Sequence, residues 1–202
     1  DVHLVRNLLI SEDSEHLVCL VEHFVAFSSS ELRVHAARLD GTWGPPPRLS
    51  LVPVASDELA FDGDEHAFFI EDSSLISARV DGQQRSVLTP SGWETLSAPR
   101  LAPDGSVVFL VRSSLNHLRR TLLKAPADGS TPAVELFPPV LSGALDLLEI
   151  VGTHALYSSE SLSGGTSELR SVPLAGGTST LLNPPPFDTP IARLGAHPGG
   201  AD

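Results

Sequence analysis

The sequence predicts an all-β fold made of tandem four-stranded antiparallel units, and three observations predict it. The first is a pair of turn series in step with each other. Phe61-Asp62-Gly63-Asp64, Pro103-Asp104-Gly105-Ser106, Val151-Gly152-Thr153 and Pro198-Gly199-Gly200 form one series, whose glycines step by 42, 47 and 47 residues. Leu39-Asp40-Gly41, Val80-Asp81-Gly82, Ala127-Asp128-Gly129 and Ala175-Gly176-Gly177 form the other, stepping by 41, 47 and 47. Two independent series with a shared period of this size mark a repeat architecture. The second observation is that β-branched and aromatic runs flank these turns, and Asp-Gly and Gly-Gly suit tight hairpins because they tolerate positive φ. The third is the proline pattern: Pro53, Pro90, Pro138-Pro139 and Pro184-Pro185-Pro186 fall between units. Proline has no N–H for a sheet ladder, so it belongs at such joins.

Each unit reads as strand, Asp-Gly turn, strand, loop, strand, Gly turn, strand. Unit one carries Val2–Ile10, His16–Val21, Glu31–Leu39 and Arg48–Val52. Unit two carries Ser56–Phe61, His66–Glu71, Leu75–Val80 and Arg85–Leu88. Unit three carries Thr95–Ala102, Ser106–Arg112, Leu118–Ala125 and Thr131–Phe137. Its second strand, Ser106-Val107-Val108-Phe109-Leu110-Val111-Arg112, is apolar at both alternating positions, as a strand buried on both faces should be. Unit four carries Leu145–Ile150, His154–Ser158, Ser167–Leu174 and Ser179–Leu182. With 17 Pro and 16 Gly spread along the chain, almost no helix is expected.

Four-stranded units of this length are the blades of a β-propeller. The blades span about 1–53, 54–92, 93–140 and 141–187 of one domain covering 1–202. Pro190 to Gly200 repeats the first strand and turn, so 188–202 reads as the start of a fifth blade. An open blade end would expose roughly 400 Å² of apolar surface, worth on the order of 10 kcal/mol, comparable to the whole stability of a domain. The expectation is therefore four blades plus one strand of a six- to eight-bladed propeller, as an excerpt or completed by another chain. A closed four-bladed ring would leave that strand without a place. The chain contains no Met, which suggests a processed product or an excerpt.

Leu101-Ala102-Pro103-Asp104-Gly105-Ser106-Val107-Val108-Phe109, followed by Leu123-Lys124-Ala125-Pro126-Ala127-Asp128-Gly129, resembles the blade repeat of TolB-like propellers. It is also similar to propeller domains of the prolyl oligopeptidase family. Ser11-Glu12-Asp13-Ser14 and Ala60-Phe61-Asp62-Gly63 are weaker copies, and unit four lacks the Asp. The resemblance covers essentially the whole chain and speaks to architecture more than to activity. It implies a periplasmic or secreted setting.

Composition excludes several function classes. The net charge is −12, from 13 Lys and Arg against 25 Asp and Glu. Such a chain repels a phosphate backbone and an anionic lipid surface, so no nucleic acid partner is expected. No stretch approaches the roughly 20 apolar residues that cross a bilayer, and no membrane insertion is expected. The single Cys19 has no partner for an internal disulfide, and its setting Leu17-Val18-Cys19-Leu20-Val21 reads as core.

Candidate sites are sparse. His16, His66 and His154 share one position, the start of the second strand in units one, two and four. They could form a channel-facing ring that binds metal or senses pH. The simpler reading is a turn-edge position that accepts polar residues. Asp57, Glu58, Asp62, Asp64, Glu65, Glu71 and Asp72 make unit two an acidic hotspot. Asp62, Asp64 and Glu65 are its candidates for calcium, although they lack EF-hand spacing and a solvated acidic rim explains them as well. Trp43 and Trp93 lie in or near turns, where they pack or anchor a partner. Serine clusters at Ser28-Ser29-Ser30 and from Ser158 to Ser167 read as loops.

No nucleophile elbow, phosphate loop, His-Glu-x-x-His or Cys-x-x-Cys occurs. The leading expectation is therefore a noncatalytic scaffold, without cofactor, that binds a protein or small ligand at its loop face or central channel. Its partners would be a protein or the remaining blades, and its acidic surface would favour basic ones. An alternative from the resemblance is the gating propeller of a serine peptidase whose hydrolase domain lies outside this chain. A third is a propeller enzyme, a lyase or glycosidase, with polar side chains gathered at the channel.

Overall fold

A computed structural model of the chain describes residues 3–11, 13–26, 29–40, 47–54, 59–97, 99–162 and 167–183. The fifth-unit residues 188–202, Trp43, Asp57 and Glu58 lie outside the described residues. Strands and turns account for the regular structure, and no helix occurs among the described residues.

Four antiparallel sheets follow one another along the chain. The first holds β1 (His3–Ile10), β2 (His16–Ala26) and β3 (Ser29–Arg38). The second holds β4 (Leu59–Phe61), β5 (His66–Glu71), β6 (Ser74–Arg79) and β7 (Arg85–Val87). The third holds β8 (Trp93–Thr95), β9 (Arg100–Leu101), β10 (Ser106–Ser113), β11 (Arg119–Pro126), β12 (Val134–Glu135) and β13 (Val140–Leu141). The fourth holds β14 (Leu145–Val151), β15 (His154–Glu160), β16 (Ser167–Pro173) and β17 (Thr180–Leu181). Each sheet is a meander of sequential neighbours, and this is the blade pattern of a β-propeller.

The central strands match the sequence reading, and the flanking ones are shorter for a backbone reason. The expected strand Thr95–Ala102 is instead two pieces, β8 and β9, which both pair with β10. Pro99 lies in the gap between them and has no N–H to give the ladder. The expected strand Thr131–Phe137 contracts to β12, between Pro132 and Pro138. Arg48–Val52 makes only one bridge, His35 to Arg48. Pro47 and Pro53 flank it, and the Ser50 Oγ, rather than a carbonyl, accepts the Val34 amide at 3.0 Å. The first blade is thus three strands with a rudimentary fourth.

Three apolar clusters each join one sheet to the next. Val18, Leu20, Val34, Phe61 and Phe69 fill the space between the first and second sheets. Phe68, Leu75, Val107, Phe109 and Val111 lie between the second and third. Val108, Leu110, Leu122, Leu147 and Tyr157 lie between the third and fourth. β10 therefore sends alternate side chains to opposite neighbours, as its doubly apolar sequence requires. Among the described residues, none of the clusters joins the first sheet to the fourth. The outward side of the first sheet leaves Leu8 and Ile10 about half exposed, at 48% and 51%. Cys19, expected in the core, is half-buried on that side because strand alternation points it away from Val18 and Leu20. Partial burial raises its thiol pKa above the usual value.

The two turn series take on different jobs. Gly63, Gly105 and Gly152 sit at φ +88°, +76° and +55° in the hairpins joining the first and second strands of their blades. In the first blade Ser14 holds that place at φ +60°. The second series docks each blade on the one before. A Cβ at Gly82 would stand 3.2 Å from the Pro47 Cβ, and one at Gly129 would stand 2.6 Å from the Ser86 Cβ. Gly176 lies against the carbonyls of Glu135 and Leu136, and the Gly177 amide donates to the Leu136 carbonyl at 2.9 Å. Ser86 and Gln84 side chains both donate to the Asp128 carbonyl, at 3.0 and 3.2 Å.

Candidate functional site

The acidic turn residues are largely occupied in holding their own backbone. Asp62 Oδ1 accepts the amides of Asp64, Glu65 and His66 at 3.0, 3.0 and 2.9 Å. Its Oδ2 lies 3.1 Å from His66 Nδ1. Burial works to raise the Asp62 carboxyl, but the His66 ring and the turn amides outweigh it and hold the pKa below the ordinary value. The same bond from Asp62 lifts His66 above 6.5 against its own burial. Asp64 is exposed, and Glu65 pairs with Arg79 at 3.3 Å.

His16 and His154 begin β2 and β15 as expected, each with local contacts. The His16 amide donates to Ser11 Oγ at 2.8 Å, and His154 Nδ1 lies 3.2 Å from Thr153 Oγ1. The three equivalent histidines stand on three different sheets. Among residues with described side chains, no group of three or more His, Cys, Asp or Glu gathers around a possible metal position. Trp93 is half-buried against the cluster between the second and third sheets. Glu71 departs from the solvated-rim reading: it is 3% exposed, pairs with Arg85, and accepts the Val52 amide of the first blade at 2.5 Å.

One concavity carries no flag in the sequence. A cleft of about 880 Å³ opens between the third and fourth blades, within the range of ligand-sized pockets. Prolines create it. Pro138 and Pro139 interrupt the outer strand of the third blade, so β12 and β13 pair with opposite ends of β11. The loop between them tucks Phe137 inward, with its carbonyl accepting Thr121 Oγ1 at 2.7 Å. Phe137 stacks on Tyr157 of β15, with centroids 5.0 Å apart and ring planes 15° apart. Burial raises the Tyr157 hydroxyl pKa, so that group stays protonated at neutral pH.

Over this aromatic floor, Arg170 is fixed by Glu168 at 2.8 Å and Ser179 at 3.1 Å. With Glu135 and Glu160, the carboxylates outnumber the one guanidinium among the described residues of the lining. The carboxylates of the rim therefore favour cationic groups, over a floor whose aromatic rings are nearly buried, Phe137 at 6% and Tyr157 at 3% exposed.

No protein-family model and no curated protein matches this chain. Solved structures do. A puromycin-hydrolyzing peptidase from Mycobacterium tuberculosis superposes with a TM-score of 0.59 at 16% identity, over 89% of this chain and 29% of that one. One of two characterised prolyl endopeptidases gives 0.59 at 19% identity, over 89% and 27%. An oligogalacturonate lyase in complex with manganese gives 0.57 at 10% identity, over 86% and 50%. At these identities the likeness is one of fold, that of β-propeller domains. The chain spans half or less of each of these three solved proteins.

Proposed function

We propose that this chain is a noncatalytic β-propeller scaffold that binds a basic protein segment in the cleft between its third and fourth blades. The observation that carries the reading is the cleft itself: a stacked Phe137–Tyr157 floor beneath a rim where Glu135, Glu160 and Glu168 surround Arg170. The net charge of −12 would steer a cationic partner toward that rim. Further blades pack on the outward sides of the first and fourth sheets, completing a larger ring. Support comes from the half-exposed Leu8 and Ile10.

The test is selection of random displayed peptides on the isolated chain. Lys and Arg around an aromatic or aliphatic residue should be enriched, and affinity should fall as salt rises. E135Q/E160Q/E168Q should weaken the selected peptides by about tenfold or more, since rim charges act mainly through complementarity. Peptides that bind this variant as tightly as the parent, or turnover of any peptide by the chain alone, would overturn the reading.

A second reading is the accessory propeller of a serine peptidase. The superpositions on the puromycin-hydrolyzing peptidase and on the prolyl endopeptidase favour it. It predicts a nucleophile elbow, with its Asp and His, encoded in the same gene outside this chain. A gene that encodes only further blades rejects it.

A further inference from the structure

In the second blade the connection between second and third strands needs only Asp72 and Ser73. In the third blade it runs from Ser114 to Leu118 and presents Leu115, which is 95% exposed. This longer loop is pinned. Ser113 Oγ accepts the amides of Leu115 and Asn116, both at 3.3 Å. Asn116 Oδ1 accepts the Leu118 amide at 3.1 Å, and the Asn116 carbonyl accepts the Arg119 amide at 2.8 Å. The Gly92 carbonyl takes both the amide and the hydroxyl of Ser114, at 3.0 and 3.1 Å. Two more leucines stand at the base of the loop. Leu118 is 47% exposed and Leu141 60% exposed. The Leu118 carbonyl accepts the Ser142 amide at 3.0 Å, and Arg119 lies across the ladder from Leu141. Apolar surface gathered on an ordered loop marks a place for a partner, and an ordered loop loses little further freedom on binding.

The charge around this loop runs against the chain's net −12. From Gly105 to Ala127 there is no Asp or Glu, while Arg112, His117, Arg119, Arg120 and Lys124 all occur. Glu94 holds Arg112 at 2.8 Å, and Asp104 holds Lys124 at 2.6 Å. Arg112 and Arg120 are directly opposed in the ladder, which costs stability unless anions answer both. Among the described residues no carboxylate pairs with Arg119 or Arg120, and the Arg120 Nε is buried with no acceptor.

We propose that the β10–β11 loop docks a protein segment in which carboxylates flank an apolar side chain. Leu115 and Leu118 cover the apolar group, and Arg119 and Arg120 take the carboxylates. An anionic lipid surface offers the same two chemistries, but it would face a whole end of this acidic molecule. A segment meets the loop alone, and carboxylates farther than about 8–10 Å are screened from it by salt. The proposal does not depend on what the cleft binds.

The test selects displayed peptides rich in Asp and Glu on the full chain and measures the selected sequences, labelled with fluorescein, by anisotropy. Selection should enrich Asp or Glu beside Leu, Ile or Phe. L115S should weaken the selected peptides by about tenfold or more, the contact of one buried leucine. R119Q/R120Q should weaken them by about threefold or more and flatten the salt dependence. E135Q/E160Q/E168Q should not weaken them, which separates this loop from the cleft. Circular dichroism of each variant confirms that the sheets persist. The proposal is overturned by selection without acidic enrichment, or by unchanged affinity in L115S or in R119Q/R120Q. Adsorption of the parent, but not of L115S, to phosphatidylserine–phosphatidylcholine vesicles would overturn it in favour of a membrane.

Discussion

Gly129→Ala tests the claim that the second turn series clips blades together. Gly129 sits at φ +68°, so an alanine there first meets the left-handed penalty, about 1–2 kcal/mol. Its Cβ would also fall 2.6 Å from the Ser86 Cβ, 3.0 Å from the Ser86 Oγ and 3.1 Å from Leu88 Cδ2. Ser86 cannot simply swing away, because its hydroxyl donates to the Asp128 carbonyl beside the turn. Overpacking of this kind adds about 1–3 kcal/mol, bringing the whole cost to about 2–5 kcal/mol. Gly105→Ala is the matched control: φ is +76°, and a Cβ there meets nothing within 4 Å. The gain from stiffening the unfolded chain is the same for both variants and cancels between them. Urea unfolding with unchanged m should therefore place Gly129→Ala at least about 1 kcal/mol below Gly105→Ala. Adding Ser86→Gly should recover part of that gap, despite losing the Asp128 hydrogen bond. Equal destabilisation by the two alanines would refute the clip.

Three further outcomes follow from the geometry. Glu71→Ala removes the acceptor of both the half-buried Arg85 and the Val52 amide, and chemical denaturation should show a loss of about 2–3 kcal/mol. Ser73→Gly should stabilise by about 1 kcal/mol, read as a rise in melting temperature, because Asp72 and Ser73 hold the β5–β6 hairpin at φ +49° and +64°. The Asp62–His66 pair sets a pH window. His66 is raised in the fold, so its contribution is complete below 6.5 and is lost as pH climbs through the raised value. Asp62 is lowered, so its contribution is present above 3.8 and is lost as pH falls through the lowered value. Asp62→Asn keeps an oxygen for the turn amides but removes the charge. Its stability deficit should be largest between about pH 4 and 6.5 and should shrink toward pH 8.5, while the His66 midpoint followed by NMR should drop in the variant.

What could be read from residues alone was whatever depends on local chemistry. β5 runs from His66 to Glu71 as expected because its turn and its apolar alternation are both written in the chain. The two-faced burial of Val107 through Val111 was equally legible. The outer strands read too long because Pro99 and Pro132 lie inside them and break the ladder, and Pro138 and Pro139, which the spacing assigns to a join, act inside a blade and open the cleft. Glu71 looked solvated among acidic neighbours, and only the approach of the first blade's Val52 amide and of Arg85 shows otherwise. His23 and His35, whose Nε2 atoms lie 3.3 Å apart, meet through a strand register that no local pattern supplies. For the cleft, the available signal was the double proline together with the chain's only tyrosine.

The two series share a period because they belong to one repeat, but the constraints on them differ. In the first series the turn needs positive φ and a side chain that accepts the following amides. Ser14 can replace the glycine beside Asp13, whose carboxylate accepts the Glu15 amide at 2.8 Å, and unit four can dispense with the Asp. In the second series the neighbouring blade also takes the space a side chain would need at Gly129, and crowds it at Gly82, so glycine is held twice there, whereas at Gly176 a Cβ would make only ordinary contacts. That difference bears on the first blade. Val80, just before its blade's clip, is 4% exposed because it packs into the core shared with the preceding sheet. Leu39 holds the equivalent place in the first blade and is 48% exposed. In the second blade this position seals a sheet to its predecessor; at Leu39 the same place is apolar surface. Burying the Leu39 side chain against a further sheet would be worth about 1.5–3 kcal/mol, the stabilisation that the proposed larger ring would supply.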